Sequence, residues 1–490
     1  MSIKEIRSKY FYSTFDFISF IILFFVIFPY RLFNPFEEDQ KIFFSGANIA
    51  FNKFTEHFPQ NLFNTFELKP FNSKLVYYIF YNITNQFINF NENKLQFIIS
   101  LQFFFNLISF IITFLFVNKL KIQIKDKIRF FFLINAILIL VGSESFFQVE
   151  HIAILLSILA IYFSLSSNKI YLFIAGIIFG FIGGLKGITI CYSIAAMFFI
   201  YYKEKKLSNI ILFSFFITFF ISIYISWIDL KYAKLLQGNN FNLLRFFLKL
   251  IGDFKFIAVD QTYIISLFIF LFYSFINNNK KLNNFIYIIF IVIIPSIILQ
   301  VGFSYHFFGL SIFFILALSF FYENHYSLLP KKFYTLLYIY PIIFIYLIFS
   351  TKYFIPIKNL ESRNKNNFNS EILVQKKLVQ IINNDKEILY LTDGVINFYI
   401  TNPSACNEYY PISINRLLNY EYKIPKEFLK KYNTIKGCIA NYNGEFILLQ
   451  TTWFPFNEYN KIYPSKEAYI LIDSAKSLER TYFIYKKNKL

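Results

Sequence analysis

The sequence predicts an α-helical polytopic membrane protein of about eleven transmembrane helices with a small C-terminal domain outside the membrane. Three observations support this fold class. Hydrophobic residues make up 56% of the 490 positions, and the mean hydropathy is +0.48, well above the level that a soluble core requires. Apolar stretches long enough to cross a hydrocarbon layer of about 30 Å recur along the chain. The short loops between these stretches alternate in charge.

Each apolar stretch is predicted to be a helix, because backbone polar groups within lipid must be paired inside their own segment. The predicted spans are residues 17–33, 95–118, 129–147, 151–166, 170–186, 188–202, 208–228, 262–277, 284–301, 305–322 and 333–351. The first stretch lacks a small-residue cleavage site, so we expect it to remain as an anchor. The chain therefore divides into a membrane body, 1–351, and a polar tail, 352–490.

The distribution of lysine and arginine sets the predicted orientation. With the amino terminus in the cytoplasm, the basic loops all become cytoplasmic, as the positive-inside rule requires. These loops carry Lys119, Lys121, Lys125, Lys127, Arg129, Lys169, Lys203, Lys205, Lys206, Lys280, Lys281, Lys331 and Lys332. We therefore expect an integral protein of the plasma (inner) membrane whose tail is extracytoplasmic. This topology accounts for the net charge of +19 without a nucleic-acid partner.

The segment 71–90 is apolar enough to be counted as a twelfth span. Counting it would invert every later loop and export the basic cluster at 119–129, against the positive-inside rule. Because it also contains several Asn and Gln residues, it is predicted to be an amphipathic helix in the outer interface, within a long outer loop at 34–94. A second interfacial helix is predicted over Phe241–Phe254, in an outer loop at 229–261.

The tail is predicted to form a small α/β or α+β domain. Its pattern indicates a helix over 371–382, strands over 387–392, 446–451 and 468–472, and a turn at 393–394. It contains no phosphate-binding glycine loop, zinc spacing or nucleophile elbow, so catalysis by the tail alone is not expected. Cys406 and Cys438 both belong to the tail, where an oxidising compartment would permit a disulfide; the paired and the free states both stay open.

Acidic residues follow the first span at its outer end. Glu37, Glu38 and Asp39 are adjacent and repel one another, so in a partly dry site at least one of them is expected to have a raised pKa. Such a carboxylate can act as a base or bind a cation. The structural alternative is an acidic interfacial loop.

Further motifs fall on the same predicted side of the membrane. They are the segment 66–71 (FELKPF), the segment 150–153 (EHIA), the glycine-rich stretch from Ala175 to Gly187 that ends in Lys-Gly, and Tyr305-His306. In this order, the motifs resemble those of the GT-C class of polytopic glycosyltransferases, especially the protein mannosyltransferase and aminoarabinose transferase branch. The resemblance covers residues 1–190, is weaker over 300–320, and extends to the tail only in general form. The chain departs from the pattern in Glu37-Glu38-Asp39, where Asp-Glu is usual, in Glu150, where Asp is common, and in Phe71, which replaces a second proline.

The resemblance implies transfer of a sugar from a polyprenyl-phosphate donor to a lipid, glycan or protein acceptor at the outer face, with membrane lipids as surroundings. It implies that Glu38 or Asp39, with Glu37 beside them, is the general base. The implied phosphate-binding residues are Lys69, Lys186 and His306. The implied positioning residues are Glu67, Glu150, His151 and Tyr305. Glu38, Asp39 and Glu150 are also candidates to hold a divalent cation; no other cofactor and no oligomeric state is implied.

Each of these residues also has an ordinary structural role to consider. Lys186 can snorkel from a span end to the interface, and the histidines can be hydrogen-bonded interface residues. Glu150 can lie in a solvated turn between two spans. The alternative function classes are a multispan transporter, a lipid-linked polysaccharide polymerase and a membrane scaffold. A transporter is expected to show internal repeats and broken helices near mid-membrane, whereas the sequence shows no repeat and its polar positions fall at span ends.

Overall fold

The structure is a computed structural model, and it describes residues 70–89, 94–122, 124–140, 147–237, 280–298, 308–328, 372–382, 386–392, 402, 405–406, 426–450, 468–477 and 480–488. These residues are mostly helical, with one small sheet near the carboxyl terminus. The chain divides into two compact units. The first comprises 1–34, 96–224 and 241–360, and the second comprises 35–95, 225–240 and 361–490.

The helices follow the predicted apolar stretches closely. They are α1 (Phe71–Phe87), α2 (Lys94–Lys119), α3 (Ile124–Leu140), α4 (Val149–Ser164), α5 (Lys169–Gly183), α6 (Ile190–Glu204), α7 (Asn209–Gln237), α8 (Lys280–Ile298) and α9 (Phe308–Leu328), then α10 (372–381) and α11 (Lys426–Ala440) in the tail. Helices α2 to α9 overlap eight of the predicted spans, and α1 confirms the helix predicted at 71–90. The predicted spans 17–33, 262–277 and 333–351 and the predicted helix at 241–254 lie outside the described residues.

Two helices are long and apolar enough to cross a membrane, Gln96–Lys119 and Asn209–Ser226, and four shorter helices are also apolar. Several helices leave large apolar side chains exposed, among them Phe114, Ile170, Phe213 and Phe220. Exposed apolar surface of this extent is typical of contact with lipid or with a partner protein. The long helices and the exposed apolar side chains together indicate association with a membrane.

Two helices end at positions that differ from the ends of the predicted spans. The prediction that residues 229–261 form a loop is wrong for its first part, because α7 continues to Gln237. Asp229 and Lys231 end the apolar stretch there, but the following Ala, Lys and Leu residues are strong helix formers. Conversely, α5 ends at Gly183, before the predicted end at 186, and a short 3₁₀ turn over Gly187–Thr189 leads into α6.

Helix α6 is central to the first unit, since it packs against α4, α5, α8 and α9. Helix α9 is buried along its described side chains from Gly309 to Phe320. Helices α2 and α3 are joined by a buried hydrogen bond in which Asn135 Nδ2 donates to Thr113 Oγ1 at 3.0 Å. Interhelical hydrogen bonds of this kind contribute about 0.6 kcal/mol on average in membrane proteins.

Glycines allow α5 to approach α7 closely. A Cβ added to Gly180 would lie 2.6 Å from the carbonyl oxygen of Phe215 and 2.7 Å from the Cβ of Thr218, and Gly176 has a similar close neighbour in Ser214. Small residues at such crossings let two backbones come together, and this packing drives helix association within lipid. The glycine-rich stretch of the sequence is therefore explained in part by packing.

One end of the first unit collects residues from the loops that were predicted to be cytoplasmic. Lys203 forms an ion pair with Glu323, whose Oε1 also accepts a hydrogen bond from the backbone N–H of Lys121 at 2.9 Å. At the same end the ammonium of Lys119 lies 5.8 Å from the centre of the Tyr162 ring. The carboxyl-terminal parts of α2, α4, α6 and α9 thus meet at this end, which we call the lysine-rich end.

In the second unit the tail contains a four-stranded sheet of order β1-β2-β4-β3. The strands are β1 (Ile388–Leu391), β2 (Phe446–Gln450), β3 (Tyr469–Lys476) and β4 (Thr481–Lys487); β1 and β2 are parallel, and β4 is antiparallel to both β2 and β3. Helix α10 packs Val374, Leu378 and the following Ile382 against this sheet. The three predicted strands and the predicted helix at 371–382 are confirmed, whereas β4 and α11 were not predicted. The predicted turn at 393–394 lies outside the described residues.

Cys406 and Cys438 form a disulfide with a Cα–Cα distance of 5.7 Å, which decides between the two states left open by the sequence. The bond ties the segment at 405–406 to α11. Next to it, the backbone N–H of Ala405 donates to the carbonyl oxygen of Ile388 in β1 at 2.8 Å. The disulfide therefore holds α11 near the edge strand of the sheet.

We expect the substitution Gly180→Val to destabilise the first unit by about 1 to 3 kcal/mol, because its side chain must enter the space occupied by the α7 backbone. Reaction of the buried thiol of Cys191 with a fluorescent maleimide during heating reports the unfolding temperature. Gly187→Ala is the matched control, since no described atom lies within 4 Å of the Cβ position of Gly187. An equal effect of both substitutions would contradict the proposed packing of α5 against α7.

We expect replacement of Cys406 and Cys438 by serine to destabilise the tail by about 3 to 4 kcal/mol, the chain-entropy value for a loop closed over 32 residues. Limited proteolysis of the full-length protein, followed by mass spectrometry, should show faster cleavage within the tail. The cleavage rates within α4 and α6 serve as internal controls and should not change.

Candidate functional site

Three of the predicted site residues lie in the part of the chain that the structure describes, and all three belong to the first unit: Glu150, His151 and Lys186. The structure brings them together at the end of the bundle opposite to the lysine-rich end. Seven predicted site residues lie outside the described part: Glu37, Glu38, Asp39, Glu67, Lys69, Tyr305 and His306.

Glu150 lies in the first turn of α4, which begins after Gln148. Its side chain is only 1% exposed, so the alternative of a solvated turn is wrong. The first turn of a helix is a favourable place for a carboxylate, because the unpaired backbone N–H groups there carry partial positive charge. This effect alone is too small to offset the cost of burying a full charge, so Glu150 also requires a cation.

Lys186 supplies that cation. Its backbone is extended, with φ −158° and ψ 138°, between the end of α5 and the 3₁₀ turn. Thr189 fixes this bend, since its Oγ1 accepts a hydrogen bond from the N–H of Lys186 at 3.2 Å and its own N–H donates to the carbonyl oxygen of Lys186 at 2.8 Å. From there the ammonium of Lys186 forms an ion pair with Oε1 of Glu150.

The two partners of this ion pair differ in exposure. The side chain of Lys186 is 19% exposed, against 1% for Glu150. The anion is therefore inside the packed helices and the cation lies at their edge. Simple snorkelling of Lys186 to an interface does not describe this geometry, because its ammonium is directed to a buried carboxylate.

His151 is buried beside the pair. Its ring contacts that of Phe105 edge to face, with a centroid distance of 4.9 Å, and Phe105 in turn contacts Phe147 at 4.5 Å. His151 is 2% exposed and belongs to an aromatic cluster between the middle of α2 and the start of α4. The expected contact of His151 with an acceptor would require this cluster to open.

The structure adds hydroxyl groups that sequence reasoning missed. Tyr192, in the first turn of α6, is fully buried and lies within electrostatic range of Glu150, with the hydroxyl of Ser296 nearby. Gly309 permits this arrangement, since a Cβ there would lie 2.5 Å from Ser296 Oγ and 3.5 Å from the Tyr192 ring. Groups from α4, α8 and α9 thus lie around Tyr192. The sequence offered one signal for Tyr192: it follows Lys186 closely and lies in the first turn of the next predicted span.

The described residues contain no group of three His, Cys, Asp or Glu side chains that could hold a metal ion. Of the predicted cation ligands Glu38, Asp39 and Glu150, only Glu150 is among them, so that prediction stays a prediction. Comparison of the chain with protein-family models, with curated proteins and with solved structures gave no match.

We expect Lys186→Met to destabilise the first unit by about 3 to 5 kcal/mol, because it leaves Glu150 as a buried charge without its cation. Adding Glu150→Gln should recover most of this loss, since the remaining amide is neutral. Thermal unfolding of the four proteins of this double-mutant cycle measures the coupling. Additive effects of the two substitutions would show that the ion pair does not stabilise the bundle.

Proposed function

We propose that the protein is a GT-C-type membrane glycosyltransferase that transfers a sugar from a polyprenyl-phosphate donor to a lipid, glycan or protein acceptor at the outer face. The observation that carries the proposal is the ion pair between the buried Glu150 and the partly exposed Lys186, which joins two motif residues of the family resemblance at one end of the helical unit. The lysine-rich end lies opposite, as the proposed topology of about eleven spans with a cytoplasmic amino terminus requires.

The disulfide supports the proposal that the tail lies on the extracytoplasmic side of the membrane. Structural disulfides persist in oxidising compartments and are rare in the cytosol, where thiols are kept reduced. The Cys406–Cys438 bond therefore favours an extracytoplasmic tail. In the proposed topology the tail and the Glu150 end of the bundle are on the same side of the membrane.

The proposed reaction needs a base and a phosphate site. The acceptor hydroxyl attacks the anomeric carbon, the bond from that carbon to the phosphate oxygen breaks, and the phosphate keeps the electron pair. The hydroxyl proton passes to Glu38 or Asp39, and a positioned base of this kind typically contributes about 100- to 10,000-fold to the rate. Cationic side chains near the phosphate stabilise the charge that develops on it, and Lys69, Lys186 and His306 are proposed for this role.

One observation favours the transporter alternative. The first unit has a buried ion pair at each end, Glu150–Lys186 and Lys203–Glu323, and pairs at both ends could close a pathway alternately. However, the described helices place both pairs at helix ends, whereas coupling sites of transporters are typically near mid-membrane. Movement of a labelled solute across proteoliposomes without sugar transfer would favour the transporter.

We expect Glu38→Gln combined with Asp39→Asn to abolish sugar transfer, because neither amide can accept the hydroxyl proton. The assay incubates the full-length protein in nanodiscs with a panel of radiolabelled polyprenyl-phosphate hexoses and pentoses and measures loss of the labelled donor by thin-layer chromatography, which also separates a labelled lipid product. Glu204→Gln is the control, because Glu204 is an exposed acid at the end of α6, and it should keep wild-type transfer. Full activity of the double variant would exclude these carboxylates as the base, and no transfer by the wild type from any donor would refute the proposed function.

A further inference from the structure

The connection between α2 and α3 is strongly basic and belongs to the lysine-rich end. Between Asn118 and Phe130 the sequence contains five basic residues and one acid: Lys119, Lys121, Lys125, Lys127, Arg129 and Asp126. The proposed reaction uses none of these residues, since it is assigned to the opposite end of the bundle. Basic clusters at a cytoplasmic membrane interface attract the anionic lipids of that leaflet.

Two of these lysines have ordered side chains where the helices meet. The ammonium of Lys119 lies 5.8 Å from the centre of the Tyr162 ring in α4. The ammonium of Lys127 donates a hydrogen bond to the carbonyl oxygen of Asn118 at 2.9 Å and so offsets the partial negative charge at the end of α2. Because these side chains are already ordered, they lose less conformational freedom when an anion binds.

Lys121 lies between them in the chain, and its side chain is exposed. Its backbone N–H donates to Oε1 of Glu323, but that carboxylate is 9% exposed and already forms an ion pair with Lys203. Among the described residues, no carboxylate forms an ion pair with Lys119, Lys121 or Lys127. The positive charge of these three lysines, which we call the α2–α3 cluster, is therefore not neutralised by the described part of the protein.

Apolar side chains continue from the α2–α3 cluster along both helices. Phe114, one turn before Asn118, and Ile128, next to Lys127, are both exposed. The ring of Phe114 contacts that of Phe131 edge to face, with a centroid distance of 6.3 Å, so the apolar surfaces of α2 and α3 are joined. A basic end that continues into an apolar surface matches a ligand with an anionic head and hydrocarbon tails.

We propose that the α2–α3 cluster binds an anionic phospholipid of the cytoplasmic leaflet, with the lipid phosphate at Lys119, Lys121 and Lys127 and the acyl chains against Phe114 and Ile128. The assignment rests on the proposed orientation of the bundle and not on the proposed reaction. A lysine close to an anionic membrane surface strengthens binding about fivefold. Because one phosphate with a single charge cannot contact three ammonium groups equally, we expect a total of about tenfold.

The test measures lipid binding to the full-length protein in detergent micelles by native mass spectrometry. The probes are phosphatidylglycerol, which carries one negative charge, and phosphatidylcholine with the same acyl chains, which has no net charge. We expect the wild-type protein to bind phosphatidylglycerol about tenfold more tightly, and equal binding of the two lipids would overturn the proposal. The triple variant Lys119→Gln, Lys121→Gln, Lys127→Gln should reduce the preference to about twofold or less.

The matched control is the triple variant Lys169→Gln, Lys205→Gln, Lys206→Gln. These three lysines are exposed on the same predicted side of the membrane, and the variant removes the same amount of charge. It should keep the wild-type preference, because none of its residues belongs to the α2–α3 cluster. An equal loss in both triple variants would show attraction by the general surface charge, and an unchanged preference in the first would exclude the cluster; either result would overturn the proposal.

A smaller change keeps the test decisive if the first triple variant does not fold. Lys119→Gln with Lys121→Gln retains the hydrogen bond from Lys127 to Asn118 and should reduce the preference to about threefold; an unchanged preference would again overturn the proposal. Glycerol 3-phosphate distinguishes a lipid from a free phosphate. It has no acyl chains, so an excess should not displace the lipid, and displacement would overturn the assignment to a lipid. No sugar donor is present, so the result does not depend on the transfer assay.

Discussion

The ion pair between Glu150 and Lys186 is the constraint on which the arrangement of the site depends. A carboxylate that is 1% exposed has lost its hydration, and a cation that reaches it from within the protein offsets this loss. That cation comes from the connection between α5 and α6, so the start of α4 and the start of α6 must lie side by side. Since α6 also packs against α5, α8 and α9, the position of one charge pair is linked to the packing of the whole first unit.

Hydropathy predicted the positions of most of the described helices. A long apolar stretch forms a helix because its backbone N–H and C=O groups must pair with one another where water is absent. Hydropathy did not predict where the helices end. Charged residues such as Asp229 mark the limit of an apolar run, but α7 continues past them to Gln237 because helix formation depends on backbone propensity as well as on hydrophobicity. Strand β4 was not predicted, and it ends in the charged residues Lys486 and Lys487. It is a strand because it pairs with β2 and β3, and such pairing between distant segments cannot be read from a local sequence pattern.

The residue types of the site could be predicted, but their contacts could not. Glu150 and Lys186 were each identified from the family resemblance, which implied separate roles for them, positioning and phosphate binding. Their pairing joins residues 36 positions apart through a bend fixed by Thr189, and no local pattern indicates that bend. Tyr192 was missed for the same reason, since its proximity to Glu150 follows from the packing of α6 against α4.

The same chemical pair occurs twice among the described residues of the first unit, so a lysine–glutamate ion pair is not by itself a sign of function. At the lysine-rich end both side chains of Lys203 and Glu323 are 9% exposed, and Glu323 also accepts a hydrogen bond from the backbone of Lys121. The two side chains of that pair are equally buried, and the pair connects α6, α9 and the end of α2. At the opposite end the side chain of Glu150 is 1% exposed and that of Lys186 is 19% exposed. The difference in exposure of the lysine, 19% against 9%, and not the presence of a pair, is the reason for which only the Glu150 end is proposed to contain the site of sugar transfer.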